Sequence, residues 1–370
     1  MWVLLIALLV IVFVLVAFLY SIWREEDEEN INLPQNEEEA KKTVKASFLD
    51  QKNFGTTLDK LDILNEDISS LKQEINKKII WVDEFVNITL INIFSNWHLL
   101  VEGLPWLAKT KTIETLSQVM DMDFRRIQFT PDMMPGDITW VEIYNTKKQD
   151  FETKKWPVFA NIVLADEINR TTPKVQSALL EAMQEKKVTI SGNTFELPKP
   201  FFVLATQNPV EQEWTYTLPE AQVDRFMFKT KLDYPTPEQE KKILDMIETE
   251  DSISVQKIIN INRFFEIMKE IEQVQVSEDI KDYISRLVAA TREPMNYVVY
   301  GASPRASIAL QRASKTVAYF QGRDYVTFED IQKISLPVLR HRIILSYDAS
   351  VDWVTSEQIL LDTLPRVSLE

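Results

Sequence analysis

At 370 residues, with 45% hydrophobic and 26% charged side chains, the chain is long enough for two domains of ordinary size and has the balance of a globular protein. Its net charge of -15 argues against nonspecific nucleic-acid binding, which needs a broad Lys/Arg surface; with no cysteine and two histidines, disulfides, thiolate metal sites and a histidine metal centre are excluded. Glycine is scarce, 6 where average usage gives roughly 26, and tryptophan, at 9, is abundant.

Residues 3–20, VLLIALLVIVFVLVAFLY, form an uninterrupted apolar run. As a helix, Trp2 to Trp23 spans about 33 Å, enough to cross a bilayer. A cleaved signal peptide would show a basic start, a shorter apolar region and a small-residue cleavage site, none of which is visible. A buried core helix is the other bland reading; the run reads best as an uncleaved transmembrane anchor over residues 1–23. Arg24 is the only basic residue close to it, so orientation is weakly encoded. A cytoplasmic placement of the bulk rests on the nucleotide site argued below. Residues 24–57 read as a solvated spacer, because REEDEENINLPQNEEE carries eight carboxylates against one arginine.

From Leu58 the composition becomes globular, with helical apolar spacing through Leu61, Leu64, Ile68, Leu71 and Ile75. Apolar runs at 99–101, 162–165 and 201–205 predict buried strands, and the segment from Pro173, PKVQSALLEAMQE, predicts a helix between two of them. Strands alternating with helices imply an α/β fold with a parallel sheet over residues 58–236. VTISGNTFEL, residues 188–197, predicts a hairpin turning at Ser191-Gly192-Asn193. After Pro235 and Pro237 the strand signals stop. A Ser277 cap precedes Ile280, Tyr283, Ile284, Leu287 and Val288 at helical spacing, and Ser303-Pro304 starts a helix ending near Gly322. Residues 237–370 are expected to form a small all-helical domain.

Four sets of short stretches carry chemistry. The first is EGLPWLAKT, in which Gly103, Leu104, Pro105, Trp106, Leu107, Ala108, Lys109 and Thr110 keep most of a phosphate-binding loop, with alanine at the second glycine position. Lys109 would reach the outer phosphates, the Thr110 hydroxyl would bind Mg2+, and helix N-terminal N–H groups would hold phosphate oxygens. In the second, IVLADEINR, an apolar strand ends in Asp166, suited to the Mg2+ shell, and Glu167, suited to polarising the attacking water; a helix cap is the bland alternative. Third, FFVLATQN places Asn208 at a strand end. Fourth, LPEAQVDRF and SPRAS supply Arg225 and Arg305, each of which alone would read as a surface charge. His98 and His341 lie in no such constellation and read as structural.

In this order, these residues resemble the MoxR family of AAA+ ATPases over residues 63–365. RIQFTPDMMPGDIT, PVFANIVLADEINR, PKVQSALLEAMQE, YTLPEAQVDRF, SPRASIAL and VLRHRIILS look like that family's signatures. The resemblance implies an AAA+ P-loop core with a helical lid, binding ATP and Mg2+. It makes Asn208 a first sensor, Arg225 an arginine finger reaching a neighbouring subunit, and Arg305 a second sensor. It also implies a ring, usually a hexamer, of a homo-oligomer acting with a von Willebrand factor A domain protein or membrane-associated client. A nucleic-acid motor on the same core is a rival that the acidic charge disfavours.

The departures from the pattern share one direction. Trp81, Trp97, Trp106, Trp140, Trp156 and Trp214 stand where the family pattern has glycine, and Trp353 belongs with them on a looser match. UGA is read as glycine in some bacterial lineages and as tryptophan elsewhere, so a single misread codon would account for the series. Deliberately introduced tryptophans, or a non-hydrolysing scaffold whose loop is blocked by a genuine Trp106, are the alternatives. The retention of Lys109, Thr110, Asp166, Glu167, Asn208, Arg225 and Arg305 weighs against the scaffold.

Overall fold

The computed structural model describes residues 58, 61–103, 109–145, 150–155, 157–190, 192–208, 215–232, 234–247, 253–293 and 296–369. The apolar run at 3–20, the acidic spacer, the loop residues Leu104–Ala108, Trp156 and Trp214 lie outside them. Among the described residues no helix is long and apolar enough to cross a membrane.

Helices α1 (Glu66–Ile75) and α2 (Asp83–Phe94) lead into strand β1 (Leu99–Gly103), followed by α3 (Lys109–Val119), β2 (Phe124–Gln128) and α4 (Pro135–Thr139). Two hairpins follow, β3 (Trp140–Asn145) with β4 (Asp150–Lys155) and, after β5 (Ile162–Asp166) and α5 (Pro173–Glu185), β6 (Lys187–Ile190) with β7 (Asn193–Glu196). Strand β8 (Phe202–Gln207), α6 (Glu220–Val223) and β9 (Phe228–Leu232) complete the α/β part. The predicted turn is present, with Gly192 at φ +85°.

The main sheet is five-stranded and all its pairings are parallel, in the order β2-β5-β8-β1-β9. Buried strands of such a sheet are apolar on both faces, and successive side chains alternate between them. Leu99 and Val101, Ile162 and Leu164, and Phe202 and Leu204 enter one core with α1, α2, α3 and the lid. Leu100, Val163, Ala165, Val203 and Ala205 face the other, against α5 and the second hairpin. The three apolar runs are three of the five strands, β1, β5 and β8; β2 (FRRIQ) and β9 (FKTKL), which carry charged residues, had no such run.

The C-terminal part contains α7 (Pro237–Ile247), α8 (Ile261–Gln273), α9 (Glu278–Ala290), β10 (Val298–Tyr300), α10 (Pro304–Phe320), α11 (Phe328–Leu339), β11 (Ile344–Leu345), α12 (Tyr347–Val351) and α13 (Ser356–Thr363). The Ser277 and Ser303 caps are present, accepting from Ile280 N and Arg305 N. Along α10, Ala306, Ala309, Leu310, Ala313 and Val317 are buried, and the small alanines let neighbouring helices approach.

Two expectations are corrected. The lid is not all-helical, because Val298 and Tyr300 pair antiparallel with Leu345 and Ile344. β-Branched and aromatic residues favour that extended conformation, and Gly301 permits it, since a Cβ there would stand 2.1 Å from the Thr291 carbonyl oxygen. The first helix begins at Glu66 rather than Leu61. Asn65 caps it by accepting from Ile68 N, which leaves Leu64 outside the helix and 71% exposed.

Lid and core form one compact unit, joined at Asp224. The buried Arg342 donates to Asp224 Oδ1 (2.9 Å) and to the carbonyls of Phe226, Met227 and Val338. Ser303 Oγ, at the start of α10, donates to both oxygens of the same carboxylate. Burial lowers the Arg342 pKa to about 10, and the Asp224 charge opposes that shift.

Candidate active site

The C-terminal ends of β1, β5 and β8 lie side by side, the edge at which parallel α/β sheets place ligands. Gly103 ends β1 against Leu232, with room for a Cβ only 3.0 Å from that side chain. Lys109 opens α3 and is 7% exposed, its Nζ donating to the Gly103 carbonyl at 2.8 Å. Burial pushes its pKa down, while the Asp166 and Glu167 charges oppose the shift. Thr110 follows in the first turn of α3.

Asp166 is the last residue of β5, and Glu167 follows at φ 57°, ψ 48°. A non-glycine residue in this left-handed region is uncommon and often marks a functional site. Neither carboxylate has the bland role of helix cap: Glu167 flanks a 3-10 turn, Ile168–Arg170, without a side-chain capping bond. Thr206 on β8 ties the pair together, its hydroxyl donating to Asp166 Oδ1 (2.7 Å) and accepting from Glu167 N (2.8 Å).

Strand β2 supplies partners that the motifs did not identify. Arg126 donates to Asp166 Oδ2 through Nη2 (2.6 Å) and Nε (3.2 Å), and its Nη2 also reaches Gln128 Oε1 (2.7 Å). Gln128 Nε2 then donates to Glu167 Oε2 at 2.9 Å, as does Arg170 Nη1. The sequence signal was the alternation in FRRIQ, which puts Arg126 and Gln128 on one side of a strand whose register sets Gln128 beside Asp166. Both catalytic-type carboxylates are thereby held by hydrogen bonds from neighbouring strands and turns.

Asn208 lies just beyond β8 and is buried, its backbone N and O both bonded to the Asn169 side chain, which clips the turn after β5 to the end of β8. Lys109, Asp166, Glu167 and Asn208 therefore share one edge of the sheet. Arg225 and Arg305 do not join them. They line a cavity of about 230 Å3 with Trp97 and His98, which precede β1. Gly103 and this cavity stand at opposite ends of a five-residue strand, about 16 Å apart. Arg225 Nη1 donates to the Leu180 carbonyl at 2.9 Å, and Arg305 pairs loosely with Asp224 at 3.6 Å.

His98 is buried and His341 half-buried, and both are bonded to backbone, as expected of structural residues. His98 Nδ1 accepts from Val203 N, which leaves Nε2 to donate to the Met183 carbonyl; His341 Nε2 contacts the Phe226 carbonyl.

Residues 98–228 match the model of the ATPase family associated with various cellular activities (AAA), and residues 294–363 match the AAA lid domain. The chain is 42% identical over 315 residues to Chaperone MoxR1 of Mycobacterium tuberculosis, covering 80% of each chain. The chain belongs to the MoxR family of AAA ATPases. YeaC of Bacillus subtilis is also 42% identical, over 298 residues, covering 80% of this chain and 93% of that protein. A putative ATPase from Cytophaga hutchinsonii superposes with a TM-score of 0.78 at 44% identity, over 89% of this chain and 98% of that one. Family membership implies nucleotide binding and ATP hydrolysis, and MoxR1 is named a chaperone.

The tryptophans that the resemblance sets against glycine differ in setting. Trp81 and Trp97 are partly buried against the core. Trp353 is 87% exposed at φ +58°, following the helix α12. The Val354 N–H bonds back to Ala349 O there, a helix-closing turn whose left-handed residue is usually glycine. Helix α10 closes with the same bond, from Arg323 N to Ala318 O, around a glycine, Gly322, at φ +70°.

Proposed function

We propose that this MoxR-family ATPase hydrolyses Mg-ATP at a site shared between copies in a ring, usually a hexamer in this family, and uses that hydrolysis to remodel protein partners. The observation that carries the reading is the separation just described. Lys109, Asp166, Glu167 and Asn208 converge at one end of β1, whereas Arg225 and Arg305 line a cavity at the other. Two arginines at the end of β1 opposite Gly103 and Lys109 are suited to a neighbour's nucleotide.

The donor set fits Mg2+, a hard cation taking oxygen ligands, since Thr110 offers a hydroxyl and Asp166 a carboxylate beside the Lys109 ammonium. Bound there, the ion would neutralise charge on the β- and γ-phosphates. Lys109 would exchange its bond to the Gly103 carbonyl for phosphate oxygens. Asp166 would hold the metal shell through an oxygen now shared with Arg126, and Glu167 would polarise the attacking water with Asn208 orienting it. Arg225 and Arg305 would act on the adjacent copy's nucleotide. Residue 106 is read as glycine, which lets the loop backbone approach the phosphates.

The apolar run at 3–20 would anchor the ring to a membrane with the ATPase on the cytoplasmic side, and a von Willebrand factor A domain protein is the expected class of partner. The test is Glu167→Gln in a Trp106→Gly chain, measured by nucleotide titration and phosphate release. The amide keeps the shape of the carboxylate but cannot polarise water, so ATP should bind normally while turnover falls at least a hundredfold. Near-normal turnover removes Glu167 from this role.

A further inference from the structure

The cavity lined by Arg225 and Arg305 contains two more cations, Lys186 at the end of α5 and Arg312 on α10, and no carboxylate lines it. In a chain of net charge -15, four cations converging on a cavity with no acid in its lining are a local inversion of charge. Their hydrogen-bonding capacity is also underused. Arg225 Nε is buried without a partner, and Arg312 lies over the Trp97 ring, 5.4 Å from its centroid. Lys186 Nζ reaches the neutral Asn96 Oδ1 at 2.9 Å. Arg305 has only the 3.6 Å approach to Asp224, whose oxygens already serve Arg342 and Ser303. Arg305 and Arg312 are seven residues apart on α10, two helical turns, so they present one cationic face.

We propose that Arg312 and Lys186 complete, with Arg225 and Arg305, a receiving pocket for the polyphosphate of a nucleotide held by a second copy of this chain. The inference rests on the shared-site reading above and extends it to residues that reading does not use. Gly103 and Lys109, which flank the chain's own phosphate-loop sequence, are at the far end of β1. The cavity, about 230 Å3, falls below the usual size for a whole cofactor-like ligand but accommodates a projecting phosphate tail. Charged guanidinium donors bind such oxygens bidentately, and removal of one charge-assisted contact of this kind is expected to weaken binding about tenfold. Burial and the nearby Arg312 together lower the Lys186 pKa, as expected for a cation placed to receive an anion.

The test uses the full chain carrying Trp106→Gly and Glu167→Gln in mild detergent. Fluorescent ATP titration at low protein concentration reads the chain's own loop, and sedimentation velocity with Mg-ATP reads association. Arg312→Ala should bind nucleotide within twofold of its parent yet associate about tenfold more weakly, with Arg312→Lys recovering part of the loss. With Glu167 intact, mixing Arg312→Ala with Lys109→Ala should restore hydrolysis, because the second chain donates its Arg312. Unchanged association, or loss of nucleotide binding by the isolated Arg312→Ala chain, overturns the proposal. Loss of binding to a labelled single-stranded oligonucleotide with association intact would reassign the pocket to nucleic acid. If the parent itself shows no ATP-dependent association, the shared site fails before Arg312 is altered, and this inference falls with it.

Discussion

Acid should destabilise this protein through His98, by an amount that follows from its surroundings. Burial lowers the His98 pKa from 6.5 to about 4, and Lys186 reinforces the shift, while the Met183 carbonyl partly opposes it. The geometry explains the resistance to protonation: Nδ1 already accepts the Val203 N–H, so a second proton on the ring would have to break that bond. Because the folded pKa lies below the unfolded one, the unfolded chain takes up the proton first as pH falls. Stability is therefore fully present above the unfolded pKa and is lost between about pH 6.5 and pH 4. A shift of this size removes about 2 kcal/mol between pH 7 and pH 5, and about 3 kcal/mol by pH 4. His341 is shifted in the same direction, chiefly by burial and then by Arg342, and adds to the loss. Since the chain has two histidines, an NMR titration of the folded protein assigns them directly. Urea unfolding at pH 7 and pH 5, for the parent and His98→Gln, measures the linkage, with the variant expected to lose about 2 kcal/mol less on acidification. A folded-state His98 titrating near 6.5, or equal losses in the two proteins, would refute the reasoning.

Asp224→Ala should loosen the joint between lid and core. Removing one partner of a buried pair costs about 3–5 kcal/mol; three carbonyls still accept from Arg342, so we expect the lower end, and a loss under 1 kcal/mol in urea unfolding would show that the carbonyls suffice. Trp353→Gly should stabilise the protein by about 0.5–1 kcal/mol, because a left-handed φ costs an L side chain about 1–2 kcal/mol, the greater freedom of glycine in the unfolded chain offsets part of that gain, and the exposed indole loses little burial; destabilisation would contradict the backbone argument. Peptide mass spectrometry of the native protein should find glycine at 81, 97, 106, 140, 156, 214 and 353, and tryptophan at any of them defeats the codon explanation there.

Much of the fold was legible because its signals are local. Three apolar runs gave the buried strands, since a parallel sheet covered on both faces needs no polar alternation. Ser277 and Ser303 marked helix starts because a hydroxyl beside orphan N–H groups acts the same way in any context. Lys109 and the Asp166-Glu167 pair were readable as types at a spacing, and the family resemblance rested on the same residues.

What the sequence could not supply was adjacency between distant segments. Arg126 and Gln128 become partners of Asp166 and Glu167 only when β2 pairs in register with β5. Leu64 fitted the helical period of its neighbours, but Asn65 captured the Ile68 N–H and started the helix after it. The β10-β11 pair depends on Gly301 approaching the Thr291 carbonyl, a contact no local pattern announces. Nor could the order of motifs reveal that Arg225 and Arg305 line a cavity at the end of β1 opposite Gly103 and Lys109. Sequence spacing fixes which chemical groups are available, whereas the sheet's strand order and the lid's docking through Asp224 decide which of them share a cavity.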